Sequence, residues 1–300
     1  MAADNIRFDQ VWDFNRWAGV EAQHPFVSSF THPDGKKCRP YRQYYNIFAL
    51  VLMKGWAGDI LYGGTKYDYD AGTLIFASPG QVTDFRYMKE DYVPKGRVLL
   101  WHPDFIAGTS LATKMHLFSY FGYNVREALR PNERELTIIS QLLDNIEEIV
   151  EQPRTENGDR LLLANIELML TYCLHFYERQ FNAHKLENNA LLSKLEALVN
   201  GYLSSDRPKT EGLLSVNFCA EELNLSSNYF SDLVRIATGQ PALKYIHEKL
   251  IEFAKYRLAD SDKNINEVAY SLGFDYPQHF TRFFKKMVGC SPSEYRQSIR

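Results

Sequence analysis

The sequence predicts an α+β protein of two domains: a β-rich N-terminal part followed by helices, then an all-helical C-terminal part. Three observations predict it. Short β-rich runs punctuated by Gly and Pro fill residues 44–101. After Pro103 the apolar pattern changes to a helical period. Residues 215–246 are then echoed by residues 265–296. A length of 300 residues also suits two domains better than one.

The first forty residues alternate hydrophobic and turn-forming pieces without a sustained period, so an arm or loosely packed leader is expected. Strands are expected at 47–53, ended by Gly55, and at 60–62, before Gly63 and Gly64. Two more are expected at 73–77, closed by Ser78-Pro79-Gly80, and at 98–101 after Lys95-Gly96. Short runs of this kind read as a compact antiparallel barrel or sandwich. Helices follow at 109–121 and 133–150, and the chain breaks at 153–158. The longest apolar helix covers 159–181. Its residues Leu162, Ile166, Met169, Cys173 and Phe176 form one stripe, and Leu163, Leu170, Leu174, Tyr177 and Phe181 another. A helix apolar on two sides must cover its own domain and something else, for which a second copy of the chain is the candidate. Residues 184–189 are polar and read as a linker, which places the boundary near 186 and the domains at 1–186 and 187–300. Residues 191–203 form an amphipathic helix, and 204–212 a polar segment containing Pro208.

Within 265–296, Phe280, Phe283, Phe284 and Met287 keep the i, i+3, i+4, i+7 spacing of a buried helix face. Gln278, Thr281, Arg282 and Lys285 share the opposite face. Asp275 is expected to cap this helix, Pro277 suits its first turn, and Gly289 suits its left-handed end. Ile265, Val268, Ala269 and Leu272 make a shorter amphipathic helix before it, joined through Gly273 and Phe274. Two short helices, a tight turn and a polar outer face describe a helix-turn-helix. In the first copy Phe230, Leu233, Val234 and Ala237 repeat the inward spacing, with Asn228, Ser231, Asp232 and Arg235 outward. Gly239 and Tyr245 match Gly289 and Tyr295 at 50 residues, while Ala220 matches Ala269 at 49, so the two turns differ by one residue. Residues 242–258 form a helical connector with Leu243, Ile246, Leu250, Ile251 and Ala254 on one side. It spans roughly 26 Å at 1.5 Å per residue. Major-groove segments on one face of a duplex lie about 34 Å apart. With the body of each unit added, one chain can place two recognition helices in adjacent segments.

The formal net charge of −3 excludes global attraction to nucleic acid, so DNA binding must rest on local patches. From Tyr276 onward the cations are Arg282, Lys285, Lys286, Arg296 and Arg300 against Glu294; over the first copy, Glu221, Glu222 and Asp232 oppose Arg235. Arg282 is the candidate for bidentate readout of guanine, and Gln278, one turn earlier, for adenine; Asp232 has the chemistry to accept from cytosine N4. Lys285 and Lys286 are candidate phosphate contacts and His279 a candidate backbone contact. Ser227 and Tyr276, at the starts of the two helices, complete the set.

The pattern I-x-E-V-A-x-x-x-G-F-x-x-x-x-x-F-x-R-x-F-K-K followed by G-x-x-P-x-x-Y-R stands complete from residue 265 to 296. It resembles the C-terminal signature of the AraC/XylS-type bacterial transcription regulators, and the likeness extends over residues 215–296. The resemblance implies two helix-turn-helix units joined by a long helix. It places base contacts on Asn228, Ser231 and Asp232, and on Gln278, Thr281 and Arg282. The sequence departs from the family at Asp232, where a basic residue is frequent, and at Val234-Arg235-Ile236, where Phe-Lys-Lys is usual. Residues 70–76 with 78–82 resemble the family's cupin-like sensory domain more loosely. The implied partners are double-stranded DNA, a small-molecule effector, a second copy of the chain and, for an activator, RNA polymerase.

Rival readings give the N-terminal barrel a different task. One fills it with aromatic side chains and leaves it only dimerisation. Another makes it a cupin-type metalloenzyme, but metal cupins need clustered ligands, typically an HxH step. No HxH occurs; His102 stands alone at a strand end, and His24 and His32 lie in the leader. No enzyme activity, cofactor or metal is therefore expected. Cys38, Cys173, Cys219 and Cys290 are scattered and read as buried free thiols. The N-terminus lacks a signal-peptide pattern, and no apolar run reaches the ~18 residues of a membrane helix. A cytoplasmic protein without a membrane partner is expected.

Overall fold

The computed structural model describes residues 4–33, 41–53, 72–84, 93, 95–124, 127–183, 185–259 and 263–299. The chain divides into two units, Met1–Asn182 and Ala183–Arg300. The expected strand at 60–62, Cys38, Asp70, Ala71 and Arg300 lie outside the described residues.

The first unit begins with β1 (Asp4–Phe8), α1 (Val11–Ala18) and β2 (Val27–Thr31). It continues with β3 (Tyr41–Tyr45), β4 (Phe48–Met53), β5 (Thr73–Ala77), β6 (Val82–Asp84) and β7 (Gly96–Trp101). Four strands form an antiparallel sheet in the order β2-β7-β4-β5. The other three form the sheet β1-β3-β6, with β1 parallel to β3. Among the described residues the two sheets do not join into a closed barrel.

The opening segment is not a loose leader. Phe8, Val11, Phe14, Ala18 and Phe30 are buried in one core cluster with Tyr45, Ile47, Ala49, Ala77, Val98 and Leu100. Its order comes from tertiary partners, since β1 pairs with β3 some 37 residues later (Asp4 with Tyr41) and α1 has only two turns in which to show a period. The opposite face of the larger sheet carries Phe48, Phe76 and Trp101, which pack on Tyr120 and Phe121. Because both faces are covered, all six residues of β7 are buried, and Val98–Leu99–Leu100–Trp101 is apolar throughout instead of alternating, while the buried Arg97 is paired with Asp144 and Glu147.

After β7 come α2 (Pro103–Ile106), α3 (Ser110–Lys114), 3₁₀ turns at Met115–Leu117 and Ser119–Gly122, α4 (Glu133–Val150) and α5 (Glu156–Ala183). The helix expected over 109–121 is thus broken. Phe118 leaves the helical region (ψ 65°), and this turns Tyr120 onto Phe76 (ring centroids 4.4 Å) and Tyr177 (5.4 Å). The first apolar stripe of α5, Leu162, Ile166, Met169, Cys173 and Phe176, is buried; of the second, Leu170, Tyr177 and Phe181 are buried while Leu163 and Leu174 are half-buried. The most exposed apolar residues of α5 lie on a third line, with Leu161 54% and Leu168 47% accessible.

The second unit consists of α6 (Lys185–Ser204), α7 (Arg207–Glu211), α8 (Val216–Glu222), α9 (Ser227–Thr238), α10 (Ala242–Ala259), α11 (Ile265–Ser271), α12 (Pro277–Val288) and α13 (Pro292–Ser298). Residues 185–189, expected as a linker, are the first turns of α6; their polar sequence carries no period, and the helix is held by its later residues Leu195, Val199, Tyr202 and Leu203 in the core. The buried stripe of α10 is Ala242, Tyr245, Ile246, Leu250, Ile251, Ala254 and Leu258. Leu243, expected inward, is 50% exposed, because Ala242 and Ile246 set the inward face one residue earlier. Cys173 and Cys219 are buried thiols, whereas Cys290 is only half-buried. Among the described residues no helix is long and apolar enough to cross a membrane.

Candidate nucleic-acid interface

Each half of the second unit is a helix, a turn and a longer helix: α8 with α9, and α11 with α12. The turns are built alike. Leu225 N donates to Ala220 O (2.8 Å) and Phe274 N to Ala269 O (3.1 Å), a bond repeated 49 residues apart. Between them the chain needs a left-handed residue, supplied by Asn224 (φ 57°) in the first turn and Gly273 (φ 91°) in the second. Asn is the non-glycine residue that adopts this region most readily. At Gly273 a Cβ would lie 2.3 Å from the carbonyl oxygen of Gly212, so only glycine fits.

Capping fixes where the helices start. Asn264 and Glu267 form a reciprocal capping box on α11, and Ser226 accepts from Tyr229 N at α9. The expected cap at Asp275 is not made. Tyr276 occupies the cap position of α12 without a side-chain hydrogen bond, and Pro277 at the first helical position removes one of the donors a cap would satisfy. Inward, Phe280 and Phe284 are buried, and Phe283 packs on Phe274 (5.6 Å) and His247 (5.0 Å). Burial, with Lys286 second, holds His247 below its ordinary pKa. In α9 Phe230, Leu233 and Val234 are buried, but Ala237, expected inward, is exposed at the helix end.

The candidate contacts of each unit share one helix face, and the two faces differ in how far their groups are already engaged. On α12, Gln278, Arg282, Lys285 and Lys286 are exposed and make no side-chain hydrogen bond or ion pair among the described residues. Tyr276 is 57% exposed and its ring lies 5.3 Å from that of His279. Thr281 Oγ1 donates to Pro277 O (3.0 Å), and Ser231 Oγ donates to Ser227 O (2.7 Å) in the matching bond of α9. Each hydroxyl has thereby spent its proton on its own helix and keeps only lone pairs to offer outward. On α9, Ser227 Oγ donates to Asn217 Oδ1 (2.8 Å), Arg235 Nη2 donates to Asp232 Oδ1 (3.1 Å), and Asn228 is exposed. Asn217 was not singled out in the sequence, since its partner lies across a turn and no spacing rule joins them. Nor was Arg257, whose guanidinium donates to Leu203 O (2.6 Å) and Ser271 O (3.1 Å).

A helix-turn-helix domain model matches residues 219–298. A crystal structure of a transcriptional regulator (AraC-type DNA-binding domain-containing proteins) from Chromobacterium violaceum is 24% identical, covering 28% of this chain and 75% of that chain with a TM-score of 0.26. The HTH-type transcriptional activator RhaS of Enterobacter sp. (strain 638) is 24% identical over 260 residues, 85% of this chain and 86% of that protein. The MmsAB operon regulatory protein of Pseudomonas aeruginosa is 35% identical over 236 residues, 78% of this chain and 69% of that protein. The chain belongs to the AraC family. As an AraC-family member it is a DNA-binding transcription regulator, and its DNA-binding part is the duplicated helix-turn-helix.

Proposed function

We propose that this AraC-family regulator reads two adjacent major-groove segments with α9 and α12. The observation that carries the reading is the pair of recognition helices, each apolar inward and polar outward, separated by the 18 residues of α10. That connector is roughly 27 Å long at 1.5 Å per residue. In this reading Arg282 pairs with a guanine and Gln278 with an adenine, while Asn228, Ser231 and Thr281 contact base edges or sugar-phosphate. Ser227, Tyr276, His279, Lys285 and Lys286 hold the backbone. Arg282→Ala is expected to cost about 1–3 kcal/mol on a cognate duplex and to relax preference at one base pair. Equal binding of that duplex by wild type and variant, in a titration at fixed salt, would remove Arg282 from the interface.

The N-terminal unit is read as a cupin-like sensory domain that admits a small-molecule effector and dimerises. Asn15 supports the first role. It lies on the buried face of α1 between Val11 and Ala18, is 1% exposed, and neither its oxygen nor its nitrogen has a hydrogen-bond partner among the described residues. A carboxamide among apolar residues is costly unless something pairs with it, and the polar group of an effector would do so. Leu161 and Leu168 support the second role, since a second copy would cover them. Leu168→Glu is then expected to halve the mass in sedimentation. The regulator would act in the cytoplasm, with RNA polymerase as a partner if it activates.

A further inference from the structure

We propose that Arg235, steered by Asp232, is the base-reading cation of the first helix-turn-helix unit, and that Asp232 is its positioning residue instead of a base contact. This rests on the reading that α9 enters the major groove. The two recognition helices align residue for residue at a spacing of 50: Asn228 with Gln278, Ser231 with Thr281, Asp232 with Arg282, Arg235 with Lys285. The second unit has its guanidinium at the third of these positions. The first unit has a carboxylate there and a guanidinium at the fourth.

The carboxylate is poorly placed to meet a base. The Asp232 side chain is only 16% exposed, and its Oδ1 accepts from Arg235 Nη2 at 3.1 Å. The Arg235 side chain is 51% exposed, so the outer end of the pair is the cation. Guanidinium has five N–H donors in a planar fork. One bond to Asp232 leaves donors free for guanine O6 and N7 and fixes the plane in which they point. A cation already held in one rotamer loses less freedom on docking than a free one, which is the general advantage of preorganisation. The neighbouring Ser231 hydroxyl has donated to Ser227 O and cannot also donate to a base with that proton.

A geometric consequence follows. Moving the guanidinium three residues along a helix displaces it by about 4.5 Å, little more than the 3.4 Å rise of one base pair. The guanine preferred by the first unit is therefore shifted by about one base pair from the place it holds in the second unit's half-site. The operator halves are not equivalent even though the protein halves are repeats.

Selection from a randomised duplex library with the full-length protein tests this, using Asp232→Asn, Arg235→Ala, Arg235→Lys and Arg282→Ala, with thermal melts confirming that each variant is folded. Arg235→Ala and Asp232→Asn are expected to flatten preference at the same base pair of the first half-site, the former with a roughly 5- to 150-fold loss on the selected site. Arg235→Lys is expected to flatten it too while leaving the salt dependence of binding unchanged, since charge is kept but the fork is lost. If Asp232→Asn instead tightens every sequence alike and leaves base preference intact, Asp232 is only a repulsive charge and the proposal fails. It also fails if Asp232→Asn alters a base pair that Arg235→Ala leaves alone, because Asp232 is then itself the contact. Arg282→Ala separates the two levels: if it flattens its own base pair, the groove reading stands whatever Asp232 does, and if no variant flattens any, the groove reading falls with the proposal.

Discussion

Two single residues show how tightly local conformation and charge are tied to each unit. Gly273 is left-handed (φ 91°), and its missing side chain admits the Gly212 carbonyl. An alanine there meets both a backbone conformation costing roughly 1–2 kcal/mol and a clash worth about 1–3 kcal/mol. Gly273→Ala is expected to destabilise by about 2–5 kcal/mol in denaturant unfolding, whereas Asn224→Ala, at the matching exposed turn, should lose only the conformational part. His24 in the other unit is 5% exposed. Its Nδ1 accepts from Phe26 N (3.2 Å) and Val27 N (3.0 Å), and Nε2 faces Asp159 Oδ1 at 3.1 Å. With Nδ1 accepting, Nε2 carries the proton and donates. Burial lowers the His24 pKa below its ordinary 6.5 despite Asp159. The unfolded chain therefore binds that proton at a higher pH than the folded one. Stability should be level above about pH 6.5 and fall as pH drops below it toward the folded value. Asp159, held below its ordinary 3.8 by Arg154 first and His24 after, adds a second loss as pH falls through the acid range toward its own folded value. Urea midpoints should match at pH 7.5 and 8.5 and be lower at 5.5; a His24→Gln variant, weaker throughout, should show a smaller drop between 6.5 and 5.5, the rest belonging to His247, whose pKa burial lowers in the same sense.

At the scale of elements, helix ends in the second unit are closed by side chains from elsewhere. Arg257 on α10 donates to Leu203 O near the end of α6 and to Ser271 O at the end of α11, and Arg296 on α13 donates to Leu258 O near the end of α10. Carbonyls of a last turn lack intrahelical donors, so one cation stitches two helices to a third. Arg257→Met keeps the stem and removes the donors; it is expected to cost about 2–4 kcal/mol by equilibrium unfolding, because both carbonyls lose a charged partner in a half-buried site. This stitching also marks what could be read from sequence. The α11–α12 unit was legible because Phe280, Phe284 and Gly289 obey rules of local spacing, and the structure keeps them buried or left-handed as that spacing requires. β1 and α1 were illegible for the opposite reason: β1 is ordered by pairing with residues 41–45, a partner that local periodicity cannot see. The Asp275 cap failed by one residue, since Pro277 fixes the first helical position and leaves Tyr276 as the cap. The candidate contacts were legible as a face, but not the pairing of Asp232 with Arg235, which only the rotamers reveal.

For the whole molecule, the question is where an independently stable DNA-binding unit begins. The helix-turn-helix match starts at residue 219, yet the core around α9 and α10 extends further back. Leu195, Val199, Tyr202 and Leu203 of α6 are each no more than 3% exposed within it. Tyr245 donates to Glu196, and Arg257 to Leu203 O. Burial of four such side chains is worth about 1.5–3 kcal/mol apiece, roughly 6–12 kcal/mol together. That is comparable with the entire stability of a small domain, about 5–15 kcal/mol. A fragment of residues 183–300 should therefore unfold in one cooperative transition. A fragment of residues 206–300, which keeps both helix-turn-helix units and the connector but lacks α6, should not. Circular dichroism melts of the two fragments decide the point: a sharp transition in the shorter one would mean that α6 belongs to the connection between the units and not to the DNA-binding core.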